Sequence, residues 1–246
     1  MSTASGEPSL SVIVPAKNEA HHIGRVVRQF TGVPCPEGLE VIVADDGSTD
    51  DTAACAAESG ARVVAVENPM HTIARVRNEG ARAARGRVLV FCDADTELSD
   101  VRALYRSVRQ YFRDGRTVGA MPRIEVFPAE QQLNDRIFHS LYNFVIRMSF
   151  WTTAPFGSGQ CQIVRRESFF SVGGYNERQV HGEDSKLFAE LRNLGAIRFL
   201  TALSVYESPR RYRKVGYVRL VVTALLSLLG QAVTGKNMLS QWSRVD

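Results

Sequence analysis

The sequence predicts an α/β fold, a mostly parallel sheet flanked by helices with a helical C-terminal extension. Three observations carry that prediction. Up to residue 95 the chain alternates short β-rich apolar runs with stretches of helical periodicity, the pattern of parallel strands joined by crossover helices. The run Val88-Leu-Val-Phe-Cys92 is apolar throughout, as a strand covered on both faces requires. Three such runs lead into polar, carboxylate-bearing segments: Ser11-Val-Ile-Val-Pro-Ala-Lys-Asn-Glu19, Val41-Ile-Val-Ala-Asp-Asp-Gly-Ser-Thr-Asp50 and Val88-Leu-Val-Phe-Cys-Asp-Ala-Asp95. Ligands of open α/β sheets sit beyond the carboxyl ends of the parallel strands. These acids are therefore expected to converge on one ligand, and such a set suits sugar hydroxyls and a divalent cation.

Taken in order, residues 10–14 read as a strand and 19–30 as a helix with Ile23, Val26, Val27 and Phe30 on one face. Strand 39–44 follows. Ser48, Thr49, Asp50 and Asp51 then offer N-cap chemistry to a helix over 53–59, which Gly60 closes. A strand at 61–66, an Ala- and Arg-rich helix at 73–85 ended by Gly86, and the strand at 88–92 complete the regular part. Helices are expected over 99–112 and 184–194, a loop at 157–159 and a strand at 162–164. Over 133–148, Leu133, Ile137, Leu141, Phe144, Val145 and Met148 recur at helical spacing. The first expectation there is a helix packed on the core; a surface lining an acceptor site or touching a membrane is the other.

A chain of 246 residues with 44% hydrophobic and 23% charged residues can bury a sizeable core, which excludes disorder. No linker or repeat divides it, so a single domain over 1–208 with an extension over 209–246 is expected. The net charge of +4 is modest and no nucleic-acid-binding motif accompanies it, so no nucleic-acid partner is expected. Cys35, Cys55, Cys92 and Cys161 never fall at Cys-x-x-Cys spacing and read as free thiols. The first eight residues lack the charged and apolar regions of a signal peptide, and a cytoplasmic location follows as the expectation. The apolar stretch 220–233 is interrupted by Thr223, Ser227, Gly230 and Gln231 and is too short to span a bilayer.

Asp93 and Asp95 offer two hard oxygen donors just past a buried strand, a pair suited to Mg²⁺ or Mn²⁺ bridging a diphosphate. Asp45 and Asp46 end an earlier strand of the same sheet and should face the same crevice. Gly47 permits a tight turn there, and the carboxylates can accept hydrogen bonds from ribose hydroxyls or a base N–H. Helix capping needs only one of the two.

At this point the residues resemble a known family. Val12-Ile-Val-Pro-Ala-Lys-Asn-Glu19, Asp45-Asp-Gly-Ser-Thr-Asp50, Arg77-Asn-Glu-Gly80, the stretch 86–95, Gly173-Gly-Tyr-Asn-Glu177 and Gly182-Glu-Asp-Ser-Lys-Leu187 are similar, in order, to the motifs of family 2 glycosyltransferases with the Rossmann-like GT-A fold. The resemblance covers about residues 9–200. It implies a nucleotide-diphosphate-sugar donor, a divalent metal and transfer to a hydroxyl acceptor with inversion at the anomeric carbon. Carried over, Pro15, Ala16, Asn18, Glu19, Asp45 and Asp46 match nucleotide-sugar-binding positions, and Asp93 and Asp95 match the metal and ribose motif, with Asp95 the direct metal ligand. Arg77 matches a basic position near the nucleotide; a solvated cation on an Arg-rich helix is its other reading. Asp184 matches the catalytic base, against the alternative of a helix N-cap. Inverting transfer needs one carboxylate to take the acceptor's proton while the leaving diphosphate is neutralised elsewhere.

His181 is a further candidate ligand or acceptor contact. The Gln-x-x-Arg-Trp motif of processive synthases is absent, since Gln241-Trp242-Ser243-Arg244 has the wrong order, so a non-processive enzyme is expected. Ser208-Pro-Arg-Arg-Tyr-Arg-Lys214 precedes the apolar run and can close over the diphosphate, touch anionic lipid or form an ordinary surface. From it come the expectations of a lipid-linked acceptor or cell-envelope glycan precursor and of peripheral contact with the cytosolic face of a membrane, with homodimer packing the alternative. Two other functions compete: a phosphotransferase using Asp93 as nucleophile, and a non-catalytic sugar-nucleotide-binding module.

Overall fold

The computed structural model describes residues 9–67, 72–152, 155–179 and 182–217. β1 (Leu10–Ala16), α1 (Ala20–Thr31), β2 (Leu39–Asp45), α2 (Thr52–Glu58), β3 (Arg62–Ala65), α3 (Ile73–Ala83) and β4 (Val88–Cys92) succeed one another much as the sequence predicts. β1 pairs in parallel with β2 on one side and β4 on the other, and β2 with β3. The apolar runs of β1 and β4 are buried along their whole length. α1 lays Ile23, Val26, Val27 and Phe30 fully into the core, each contributing about 1.5–3 kcal/mol of hydrophobic burial before entropy is counted. Gly80 lets α3 press against the sheet, because a Cβ there would stand 2.4 Å from Ile13 Cγ2.

The chain continues through β5 (Glu97–Leu98), α4 (Val101–Tyr111), β6 (Thr117–Val126), α5 (Leu133–Ser149), β7 (Cys161–Arg165), α6 (Arg166–Ser171), α7 (Glu183–Arg192), β8 (Ala196–Glu207) and α8 (Arg210–Val215). The sheet has eight strands in the order β3-β2-β1-β4-β7-β6-β8-β5. β7 runs antiparallel to β4 and β6, and β8 runs parallel to β6. β6 and β8 escape the sequence pattern. Gly119 and Pro122 punctuate β6, and the register jumps from Pro122–Leu200 to Arg123–Ser204, so a bulge in β8 breaks the alternation a strand normally shows.

The predicted helix over 133–148 forms as α5, but its apolar stripe faces outward. Asp135, His139, Asn143 and Ile146 are the buried positions, whereas Leu133 is 70% exposed, Ile137 60% and Phe144 59%. The expectation of a stripe packed on the core is thereby corrected, and the reason is that each inward polar group finds partners. Asn143 Nδ2 donates to the Ile124 carbonyl at 2.8 Å and Oδ1 accepts from the Ile124 N–H at 2.9 Å, which fastens the helix to β6. The His139 ring nitrogens lie 2.9 Å from the Asp135 carbonyl and 3.3 Å from Glu207 Oε1. Asp135 accepts from the Gln132 N–H, Arg213 Nη2 and the Tyr217 hydroxyl.

Residues 209–217, the start of the extension in the sequence reading, fold back onto α5. The Tyr212 and Tyr217 rings pack on Phe138 with centroids 5.3 and 5.2 Å away. The apolar run 220–233, Gln241–Arg244 and His181 lie outside the described residues. Among the described residues no helix is long and apolar enough to cross a membrane.

Candidate active site

β2 and β3 lie to one side of β1 and β4 to the other, so the strand order reverses beside β1 and leaves a crevice at the carboxyl ends. Pro15, Ala16, Asn18 and Glu19 leave β1 there, Asp45 and Asp46 leave β2, and Asp93 and Asp95 leave β4. The first two loops are stitched together. Asn18 adopts φ +56°, its Oδ1 accepts from the Thr49 N–H at 2.8 Å, and its own N–H donates to Ser48 Oγ at 2.9 Å. The Glu19 N–H donates to Thr52 Oγ1 at 2.7 Å, and Asp50 accepts from the Ala20 N–H and from Thr52. Asp50 thus both accepts from the first N–H of α2, as its expected capping role requires, and ties the two loops together, whereas Asp51, at the N-cap, makes no side-chain capping bond. Asp45 is buried against Ser48, and Asp46 pairs with Lys17 at 3.1 Å.

Asp95 is exposed on the wall of an open cleft of about 430 Å³, which Arg25, Phe127, Ser208 and Arg210 also line. Among the described residues no three His, Cys, Asp or Glu side chains converge on a point. A cation shared with phosphate oxygens and water needs only one or two carboxylates from a protein. Asp95, an exposed hard oxygen donor facing a cleft with two arginines, fits that role.

Arg77 organises the remaining acids. Its side chain is only 3% exposed, which rules out a solvated surface cation. Nη1 donates to Asp184 Oδ1 at 2.9 Å and lies 3.5 Å from Glu183 Oε1; Nη2 donates to Asp93 Oδ1 at 2.9 Å and to the Gly159 carbonyl at 3.2 Å. The guanidinium also stacks 5.4 Å from the Tyr175 ring centroid. One cation faces three carboxylates, and burial, reinforced by neighbouring negative charge, raises two of them. Asp93, deep in the crevice floor although a third of its side chain still meets solvent, is pushed up to about 6 by burial, Arg77 opposing and Asp95 reinforcing the shift. Glu183 is pushed up to about 7 by burial and by the charge of Asp184, with Arg77 opposing.

Asp184 sits in the first turn of α7 behind the N-cap Gly182, and no side-chain capping bond is made. Its partners are Arg77 and Gln162, whose Nε2 donates to the same Oδ1 at 2.9 Å. Gln162 is fully buried and accepts through Oε1 from the Tyr175 hydroxyl. The loop before β7 lies against this group only because it has no side chain there: a Cβ on Gly159 would come within 2.7 Å of Arg77 Nη2 and 3.1 Å of Asp184 Oδ2. Gln162 has no role in the sequence reading, and Tyr175 and Glu183 stand in two of its motifs without an assigned role. A glutamine inside the apolar strand Cys161–Arg165 was the available signal, since a buried amide needs a polar partner.

The family model described as glycosyl transferase family 2 matches residues 11–172, more than half of the chain. The chain belongs to glycosyl transferase family 2. Among curated relatives it is 25% identical over 185 residues to the 4,4'-diaponeurosporenoate glycosyltransferase of Staphylococcus aureus, covering 70% of this chain and 48% of that protein. The chain therefore spans about half the length of the curated relatives it matches. Among solved structures, the mannosyltransferase PcManGT from Pyrobaculum calidifontis, in complex with GDP-Man and Mn²⁺, superposes with a TM-score of 0.69 at 20% identity, covering 96% of this chain and 68% of that one. Glucosyl-3-phosphoglycerate synthase from Mycobacterium tuberculosis, with Mn²⁺, UDP-Glc and phosphoglyceric acid, gives 0.58 at 22% identity, covering 92% of this chain and 81% of the other. The fold of this chain is the GT-A fold of these neighbours.

Proposed function

We propose that this family 2 glycosyltransferase moves a sugar from a nucleotide-diphosphate-sugar to an acceptor hydroxyl in a non-processive reaction with inversion, Asp184 acting as general base. The observation that supports it most is the fixing of the Asp184 carboxylate at the crevice floor. Arg77 and Gln162 both bind Oδ1, which leaves Oδ2 to take the acceptor's proton as its oxygen attacks the anomeric carbon. Tyr175 holds Gln162, and Gln162 holds the base.

On the donor side, Pro15, Ala16, Asn18, Glu19, Asp45 and Asp46 form the nucleoside end of the crevice, and Asp93, anchored by Arg77, stands between nucleoside and sugar. Asp95 is the residue to hold Mg²⁺ or Mn²⁺, which when bound supplies positive charge against the departing diphosphate. Arg25 and Arg210, on the wall of the same cleft, are placed to reinforce it. Relatives in complex with GDP-Man or UDP-Glc and Mn²⁺ support this assignment of donor and metal. The acceptor we infer is lipid-linked or amphipathic, met at the cytosolic face of a membrane, on the strength of the basic residues Arg210 and Lys214 and the apolar run 220–233 after them. Nothing in the geometry favours the phosphotransferase reading, in which Asp93 would have to be a free nucleophile.

Asp184→Asn keeps the shape of the side chain and removes the proton acceptor. Turnover of the cognate donor should fall about 10²- to 10⁴-fold while donor affinity, measured calorimetrically with Mn²⁺, is retained. Near-wild-type turnover would remove Asp184 from the mechanism. Affinity for UDP and GDP that is unchanged by EDTA would remove Asp95 as a metal ligand.

A further inference from the structure

A helix that turns polar residues to the core and apolar ones outward is stable in water only at a cost, and α5 does this over most of its length, Ile146 being its buried apolar exception. Ile137, Leu141, Phe144 and Met148 lie opposite the buried Asp135, His139 and Asn143, with Leu133 at one end and Trp151, 73% exposed, just past the other. Large contiguous apolar surfaces of this kind mark a docking site rather than ordinary scatter. Arg136, Ser140 and Arg147 run along one edge of the stripe, and α5's one acid, Asp135, is fully buried. At the Trp151 end the surface dips into a notch of about 230 Å³ lined by Tyr111, Arg147, Trp151, Arg198 and Phe199, with no acid among its lining residues.

We propose that the outer face of α5 docks on an anionic lipid surface, apolar side chains entering the acyl boundary and Arg147 and Arg198 receiving a phospholipid headgroup in the notch. Three features favour lipid over a second copy of the chain. An apolar stripe edged by arginine and ending in tryptophan is the pattern of a helix lying in the membrane interface. Self-pairing would give those arginines no acid on the facing stripe. Tyr217 also packs on Phe138 of α5, and the sequence that follows it runs into the apolar stretch 220–233 after the basic Arg210 and Lys214. The proposal deepens the reading of a membrane-borne acceptor and rests on it for the acceptor alone; docking is measured without sugar transfer.

The test uses the full chain with Trp242→Phe, so that Trp151 is the single tryptophan. Flotation with phosphatidylcholine–phosphatidylglycerol vesicles at low salt should carry the protein upward, with a blue shift of Trp151 emission; phosphatidylcholine vesicles should bind it less. Ile137→Gln with Phe144→Gln should lower the vesicle partition coefficient by about tenfold or more, and Arg147→Gln with Arg198→Gln should remove the preference for anionic vesicles. Circular dichroism checks that the variants fold, and donor hydrolysis without vesicles reads the transferase function separately. Wild-type protein that stays in the aqueous fraction overturns the proposal. So does flotation with Trp151 emission unmoved or with the α5 variant floating undiminished, which would assign binding to the tail. A concentration-dependent dimer abolished by the same two substitutions would assign the face to a second copy instead.

Discussion

α1 and α5 flank the same sheet, both are amphipathic, and they face opposite ways. α1 puts Ile23, Val26, Val27 and Phe30 against the sheet; α5 puts Asp135, His139 and Asn143 there and leaves Ile137, Leu141 and Phe144 outside. Hydrophobic periodicity measures how sharply a helix divides into two faces, and it is silent on which face the fold buries. Around α1, β1, β2 and β4 offer continuous apolar surface, so an apolar stripe packs there without loss. Around α5 the neighbouring partners include the Ile124 backbone, Glu207 and Arg213, which the inward polar side chains answer. Arg77 on α3, with its three carboxylates, forms a second polar interior, at the crevice where Asp93 leaves β4.

If that contrast is right, deleting one inward cation should do more harm than any deletion on α5's outer face. Arg77→Ala strands Asp93, Asp184 and Glu183 in a site that burial makes hostile to unpaired charge. We expect a loss of about 3–5 kcal/mol, read as a Tm lower by roughly 2–4 °C for each kcal/mol in a chain of this size. A variant melting with the wild type would mean that the carboxylates discharge at no cost and that Arg77 does not hold the site together.

The paired test of the helices is sharper because it uses one residue type. Phe30→Ala opens a cavity in the core and should cost about 3–5 kcal/mol. Phe144→Ala removes a ring that is 59% exposed and should change stability by no more than about 0.5 kcal/mol in vesicle-free buffer. Equal losses by urea denaturation would show that the outer face of α5 is covered in solution.

Legibility in the sequence follows the same division. The N-terminal part of the sheet could be read because local rules and the tertiary fold agree there: β4 is apolar because both its faces are covered, and Gly60, at φ +96°, ends α2 where the pattern stops. The acids at the strand ends were legible by position, and so was Asp184 by its motif. What could not be read is what depends on distant partners. That Arg77 is buried is decided by residues as far along the chain as Glu183 and Asp184; its Arg-Asn-Glu-Gly motif marks the residue but not its burial, and Arg75 and Arg82 on the same helix pair with Glu79 and Glu177 nearer the surface. Gln162 shows the same limit, since a glutamine in a strand reveals a need for partners but not their identity.

The smallest effect expected tests the charge surplus around Arg77. Glu183 carries a native pKa near 7 against an ordinary value of 4.5, so between those pH values the folded protein holds a proton that the unfolded chain has lost. Stability therefore falls as pH rises through that window, with the penalty absent below about 4.5 and complete above about 7. Glu183→Gln keeps an oxygen facing Arg77 Nη1 and cannot ionise, so its Tm should lack this decline and exceed that of the wild type at pH 8 by a few degrees. Asp93 titrates in the same direction in both proteins, and the difference between their two pH profiles isolates Glu183. Parallel profiles would place the surplus charge elsewhere and leave Glu183 ionised beside the arginine throughout the window.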